Sequence, residues 1–236
     1  MALFYDQDAD KKTIIRNLSV DRNSRGQYLQ SLLIVLAAMV PPTIILLWVL
    51  AQDNPAGYYL RDALLVARTV PDCCAPDIGL VSNLGIVVWS VAAGVAFFVA
   101  VLLFGIRQQP GHVVKFFATT GALTIILAVD DLFLLHEEVL VGIGISEMAT
   151  LIAYGAAALG YFFIFRLQIY KSYFLVALAA AVFFAASLFL DRVFPIAPWA
   201  GFFEDSAKFI GIWLWAAFIF SAGISAVRNN LEISSD

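Results

Sequence analysis

The chain has 236 residues, 62% of them hydrophobic and 14% charged, with a mean hydropathy of +0.88 and a formal net charge of −4. Soluble domains run nearer half apolar and a quarter charged, so this composition excludes an ordinary soluble domain and predicts lipid around much of the chain. No basic stripe is present to follow a phosphate backbone, which removes nucleic acid from the expected partners.

The chain opens on a polar tail, 1–29, containing Lys11, Lys12, Arg16, Arg22 and Arg25. Such a stretch does not read as a cleavable signal peptide, and the apolar run behind it is too long for one. The first predicted span, TM1, covers 30–51 and carries Pro41 and Pro42 at mid-run. Proline lacks the backbone donor and crowds the preceding turn, so a kink is expected there. The connection over 53–80 interleaves Tyr58, Tyr59, Leu60, Leu64, Leu65 and Val66 with Arg61, Asp62 and Arg68. That pattern predicts a short outer interfacial helix in the TM1–TM2 loop, capping the bundle. The two cysteines, Cys73 and Cys74, are adjacent here and read as loop thiols, because sequence neighbours close only a strained disulfide.

Five further apolar runs follow: TM2 at 82–106, TM3 at 113–140, TM4 at 144–166, TM5 at 172–190 and TM6 at 199–227. The expected architecture is an all-α integral membrane protein, a bundle of six transmembrane helices over 30–228, with a last tail at 229–236. Gly155, Ala156, Ala157, Ala158 and Gly160 give TM4 a small-residue face suited to close helix contact. Trp48, Tyr173 and Trp199 fall near span ends, as an aromatic belt would. No internal repeat suggests an inverted-repeat transporter.

Lysine and arginine set the expected orientation. Ten lie on one side: the five of the first tail, then Arg107, Lys115, Arg166, Lys171 and Arg228. Three lie on the other, Arg61, Arg68 and Arg192, and Lys208 falls inside a span. The excess predicts N- and C-termini in the cytoplasm and a multi-pass protein of the cell (inner) membrane.

The chemistry concentrates in TM3, at Asp130, Asp131, His136, Glu137 and Glu138, and in TM6, at Glu204, Asp205 and Lys208. Ionisable side chains inside a membrane are costly and mark functional sites by default. On an unbroken helix Asp130 and Glu137 share one line and Asp131 and Glu138 another, all within an arc of about 120°, while His136 projects off it. Lys208 stands i+4 from Glu204 and i+3 from Asp205. Counting about 1.5 Å per residue puts Asp130, Asp131 and Lys208 at one depth, and Glu204 and His136 further out. If TM3 meets TM6, Asp131 or Asp130 pairs with Lys208. Six carboxylates then face one certain base, with Arg192 able to offset one more. A bound proton or a bound metal would relieve the surplus.

Four functions follow from this. The leading one is a channel- or transporter-like protein whose outward-facing cluster between TM3 and TM6 binds or relays cations or protons. The second is a metal-dependent membrane enzyme holding a divalent cation, or an iron pair, on Asp130, Asp131, His136, Glu137 and Glu204. The paired Glu-x-x-His spacing of di-iron bundles is absent, His112 and His136 are the only imidazoles, and the paired histidines of the alkaline ceramidases are missing. Ser206, a possible nucleophile, has no evident base. The third rests on Glu204-Asp205-Ser206-Ala207-Lys208, which locally resembles the last-helix retinal lysine segment of microbial rhodopsins. The resemblance covers these few residues, in a chain with six expected spans where those proteins have seven, and implies a bound chromophore. The fourth is an accessory subunit of a larger membrane complex, or a homo-oligomer.

Overall fold

The structure, a computed structural model, describes residues 7–69, 75–105, 111–194, 197 and 199–233, with side chains between 26 and 229. Cys73, Cys74 and Arg107 lie outside the described residues. Every described regular element is helical, and six helices are long and apolar enough to cross a membrane.

In chain order, α1 (Gln7–Leu50) contains the first span, Gly26–Leu50, with Pro41 and Pro42 inside the helix. α2 (Ala56–Leu60) and α3 (Ala63–Ala67) are short. α4 (Leu80–Phe104) and α5 (Gly111–Phe133) are the next two spans. A π turn (Leu135–Val139) runs into α6 (Leu140–Gly142). α7 (Glu147–Ile164) is the fourth span, and α8 (Arg166–Lys171) connects it to α9 (Phe174–Val193). α10 (Ala200–Ile233) contains the sixth, Ala200–Asn229.

Between apolar helices in lipid there is little hydrophobic drive, so association depends on close packing and buried hydrogen bonds. α10 is the centre of the bundle; α9, α4 and α1 pack against it, and α4 packs in turn against α5. Buried Gly85, Ala92, Ala96 and Ala100 recur on one face of α4 and let its neighbours come near. A Cβ at Gly211 of α10 would stand 2.9 Å from the Phe184 ring of α9, so glycine permits that approach. α5 and α10 are joined largely through long side chains. Trp215 Nε1 donates to Thr124 Oγ1 at 2.9 Å, and the Phe116 and Phe218 rings lie 6.4 Å apart. Leu33, Leu47, Val101, Phe104, Ile152 and Leu159 remain exposed, as side chains facing lipid would.

Three local expectations are revised. The connection after α1 forms two short helices, not one, and buries Tyr59, Leu60 and Val66. At the two glycines of the small α7 face no close contact forms among the described residues: nothing stands within 4 Å of a Cβ at Gly155 or Gly160. Two tyrosines attach α7 instead, Tyr161 at 2.7 Å from Thr120 Oγ1 and Tyr154 at 2.9 Å from Asp130 Oδ1. Finally, the third span is not one helix to residue 140. α5 stops at Phe133, Leu134 takes the left-handed conformation at φ 50°, and the π turn follows.

Candidate functional site

The break at Leu134 organises the site. Asp130 is 3% exposed and accepts three hydrogen bonds. Its Oδ1 takes the His136 backbone N–H at 3.1 Å and the Tyr154 hydroxyl at 2.9 Å, and its Oδ2 lies 2.5 Å from His136 Nδ1. A carboxylate that captures the N–H six residues ahead competes with helix continuation, and the chain re-forms as a π turn. Leu134, buried at 3% exposure, sits at the left-handed junction. His136 is thereby turned in, although an unbroken helix would place it off the acidic face. Its other nitrogen, Nε2, lies 3.4 Å from Glu137 Oε1. Burial works against a charge on this ring, which lies beyond the span's end at Phe133. The carboxylates of Asp130 and Glu137 on its two sides outweigh burial and push its pKa up to about 10. Two flanking carboxylates thus favour the charged form of His136, and the ring in turn holds Glu137 below the usual carboxylate range despite partial burial.

Asp131, the next residue, points elsewhere. Lys208 Nζ donates to its Oδ1 at 2.8 Å, and the Asp131 side chain keeps 12% of its surface accessible against 42% for Lys208. This pair lies in a cavity of about 200 Å³ at the end of the bundle formed by α2, α3, α4, the π turn and α10. Glu137, Glu204 and Asp205 line the same cavity.

Two further charged residues enter from the connection. Arg61 and Asp62 also line the cavity, and neither belongs to the site expected from sequence. Gly79 holds their segment in place: it is left-handed at φ +63°, and a Cβ there would stand 2.6 Å from the Ala63 nitrogen. Its N–H donates to Tyr58 O at 2.9 Å, and the Tyr58 hydroxyl donates to Asp77 Oδ1 at 3.2 Å. The available signal is the alternation of charged and apolar residues around Arg61, which by itself describes a cap. Arg68 adds a two-pronged bond to Glu138, at 2.7 and 3.3 Å, tying α3 to the π turn. Glu138 therefore does not share the cavity with Glu137.

The charge balance follows from these partners. Five carboxylates line the cavity, Asp62, Asp131, Glu137, Glu204 and Asp205, against the bases Arg61 and Lys208. Among the described residues no ion pair closes on Asp62, Glu204 or Asp205. Burial pushes the Asp62 carboxyl up to about 6; Lys208 opposes this, and Asp131 and Glu137 add to it. Arg192 closes its ion pairs outside the cavity, with Glu147 and, at 3.0 Å, with Asp191, and acts on Glu204 only at longer range.

The metal and chromophore arrangements fit less well. Among the described residues no three His, Cys, Asp or Glu side chains group so as to hold a metal ion. Four of the five expected ligands are divided between separate partners: Asp130 and Glu137 flank His136, and Asp131 is held by Lys208, while Glu204 closes no ion pair among the described residues. The cavity beside Lys208 is smaller than the ~300–1,000 Å³ usual for organic ligands. Ser206 is buried with no hydrogen-bond partner for its hydroxyl among the described residues.

A family model described as a domain of unknown function (DUF8692) matches residues 30–222, most of the chain. The chain belongs to this family. The matched stretch holds all six spans in whole or in large part and every cavity residue named above. No curated protein and no solved structure matches it.

Proposed function

We propose that this member of the DUF8692 family binds protons or small cations in the cavity beside Lys208 and acts as a channel- or transporter-like protein. In this reading both termini are cytoplasmic and the cavity opens outward from a cell membrane, as the ten-to-three distribution of basic residues favours. The observation that carries the proposal is the surplus of acid. Asp62, Glu204 and Asp205 share a small cavity without ion-pair partners among the described residues, and only Arg61 is left to offset them once Lys208 serves Asp131. Crowded carboxylates at low dielectric take up protons or attract cations. Glu137, which lines the cavity, lies 3.4 Å from His136, and His136 bonds the buried Asp130, so the three ionisable groups run in succession from the cavity lining to a buried carboxylate. Beyond them, Thr124 with Trp215 and Thr120 with Tyr161 are buried and mutually bonded, which suits a conformation closed toward the other side.

The test is flux in proteoliposomes carrying a pH-sensitive dye, with a proton gradient or a sodium or potassium gradient imposed. The wild-type chain is expected to dissipate one of these gradients, and Asp131→Asn and Glu204→Gln to slow it at least tenfold. Rates equal to those of protein-free liposomes under every gradient would refute transport.

A further inference from the structure

A second cavity, of about 530 Å³, lies at the opposite end of the bundle, between the first turns of α5, α8 and the last turns of α10. It is more than twice the volume of the cavity beside Lys208 and reverses its charge. Among the described residues no aspartate or glutamate lines it; the ionisable groups are Lys171 and His112, joined by the polar side chains of Gln168, Ser172, Ser225 and Asn229. Lys171 is exposed and makes no ion pair among the described residues. The turn that carries it is braced from α1, where Gln27 Nε2 donates to the backbone carbonyls of Lys171 at 3.3 Å and Ser172 at 2.5 Å.

The remaining lining is apolar, with the buried rings of Phe116 and Phe117 beside Ala222. The level is also informative. His112 begins the span Gly111–Phe133, and Asn229 ends the span Ala200–Asn229. Polar groups at span ends stand where lipid headgroups meet water, and the rings lie one turn deeper. A rim that is basic and, among the described residues, free of carboxylates, above an apolar floor, suits an anion with an apolar body. We propose that this cavity binds the phosphate headgroup of an anionic phospholipid, with the phosphate at Lys171 and His112 and the first acyl methylenes on Phe116 and Phe117. Lysine offers phosphate a point charge with three donors, and basic pockets at helix ends are a recurrent form of headgroup recognition. The assignment stands independently of any transport by the other cavity.

The experiment is a thermal-shift titration of the purified full chain in detergent with phosphatidylglycerol, with phosphatidylcholine of the same acyl chains and with inorganic phosphate, alongside mass spectrometry of the chain released from nanodiscs containing both lipids. The expected result is a saturable rise in melting temperature with phosphatidylglycerol alone and one phosphatidylglycerol retained per chain. The variant combining Lys171→Gln and His112→Gln is expected to need at least tenfold more phosphatidylglycerol for the same shift. Both side chains are exposed, so the variant should fold, and its unliganded melting temperature checks this. An equal shift from phosphatidylcholine, an equal shift from inorganic phosphate, or unchanged titration of the variant would each overturn the lipid assignment.

Discussion

Asp130 and Asp131 are consecutive, yet their carboxylates are held by different elements: Asp130 by His136 and Tyr154, Asp131 by Lys208 of α10. On a helix adjacent side chains diverge by about 100°, so one can turn toward α7 while the other faces the cavity. One residue step thus separates a saturated carboxylate that shapes the backbone from an accessible one that meets a lysine.

The Asp131–Lys208 pair joins α5 to α10, whose connection rests largely on long side chains. Asp131→Asn leaves Lys208 with a weaker partner and is expected to destabilise the chain by about 2 kcal/mol, the usual scale for a hydrogen bond between charged groups. Lys208→Gln is expected to have a comparable effect. If the two residues act on each other, the double variant loses less than the sum of the singles, by about 1 kcal/mol or more. Thermal unfolding of the four proteins in one detergent measures this; strict additivity would mean that the pair adds no stability.

How much of this was legible follows from what each inference assumed. The apolar runs are long enough to stand without tertiary information, and the rise per residue puts Asp131 and Lys208 at one level. The positions of His136, Glu137 and Glu138 were not legible, because an angular count assumes an unbroken helix. Asp130 breaks that assumption by accepting the His136 N–H, an event set by side-chain geometry and not by hydropathy. Arg61 and Asp62 were hidden for another reason. They reach the cavity because Gly79 lets two backbone segments touch, and a glycine in a loop gives no sign of which segment it will meet.

His136 gives a pH signature. Its pKa is raised from an ordinary 6.5 to about 10, so the folded chain holds the proton more tightly than the unfolded one. The associated stability is fully present below about 6.5 and is lost as pH rises toward about 10. The melting temperature of the wild type is therefore expected to fall from pH 7 to 10. In His136→Gln this decline should flatten, and the variant should be less stable than the wild type at pH 6. Parallel curves for the two proteins would argue against a charged His136.

Asp62 has the opposite consequence from an ion-paired carboxylate. Its pKa is raised, from 3.8 to about 6, so the neutral form is favoured in the fold. The favourable contribution is present below about 3.8 and disappears as pH rises through about 6. Asp62→Asn, which is neutral at every pH, is expected to melt higher than the wild type at pH 8 and close to it at pH 4. A variant less stable than the wild type at pH 8 would show that the Asp62 carboxylate is satisfied by a partner when ionised.

Gly79→Ala tests whether the connection builds the cavity wall. The left-handed backbone at Gly79 costs a residue with a Cβ about 1 kcal/mol in itself. Here the new Cβ would also meet the Ala63 nitrogen at 2.6 Å and its Cα at 2.9 Å, backbone atoms that cannot rotate away. The chain must part at that point, moving α3 and the adjacent Asp62 away from Asp131 and Lys208. The substitution is expected to destabilise the chain by more than about 2 kcal/mol, adding the clash to the backbone term. It should also remove the pH-dependent stability difference that Asp62→Asn produces, because Asp62 would then titrate as an ordinary solvated carboxyl. Comparing Gly79→Ala with Gly79→Ala/Asp62→Asn at pH 4 and 8 separates the two effects: loss of stability with the Asp62 difference intact would mean that Gly79 supports the fold without positioning Asp62.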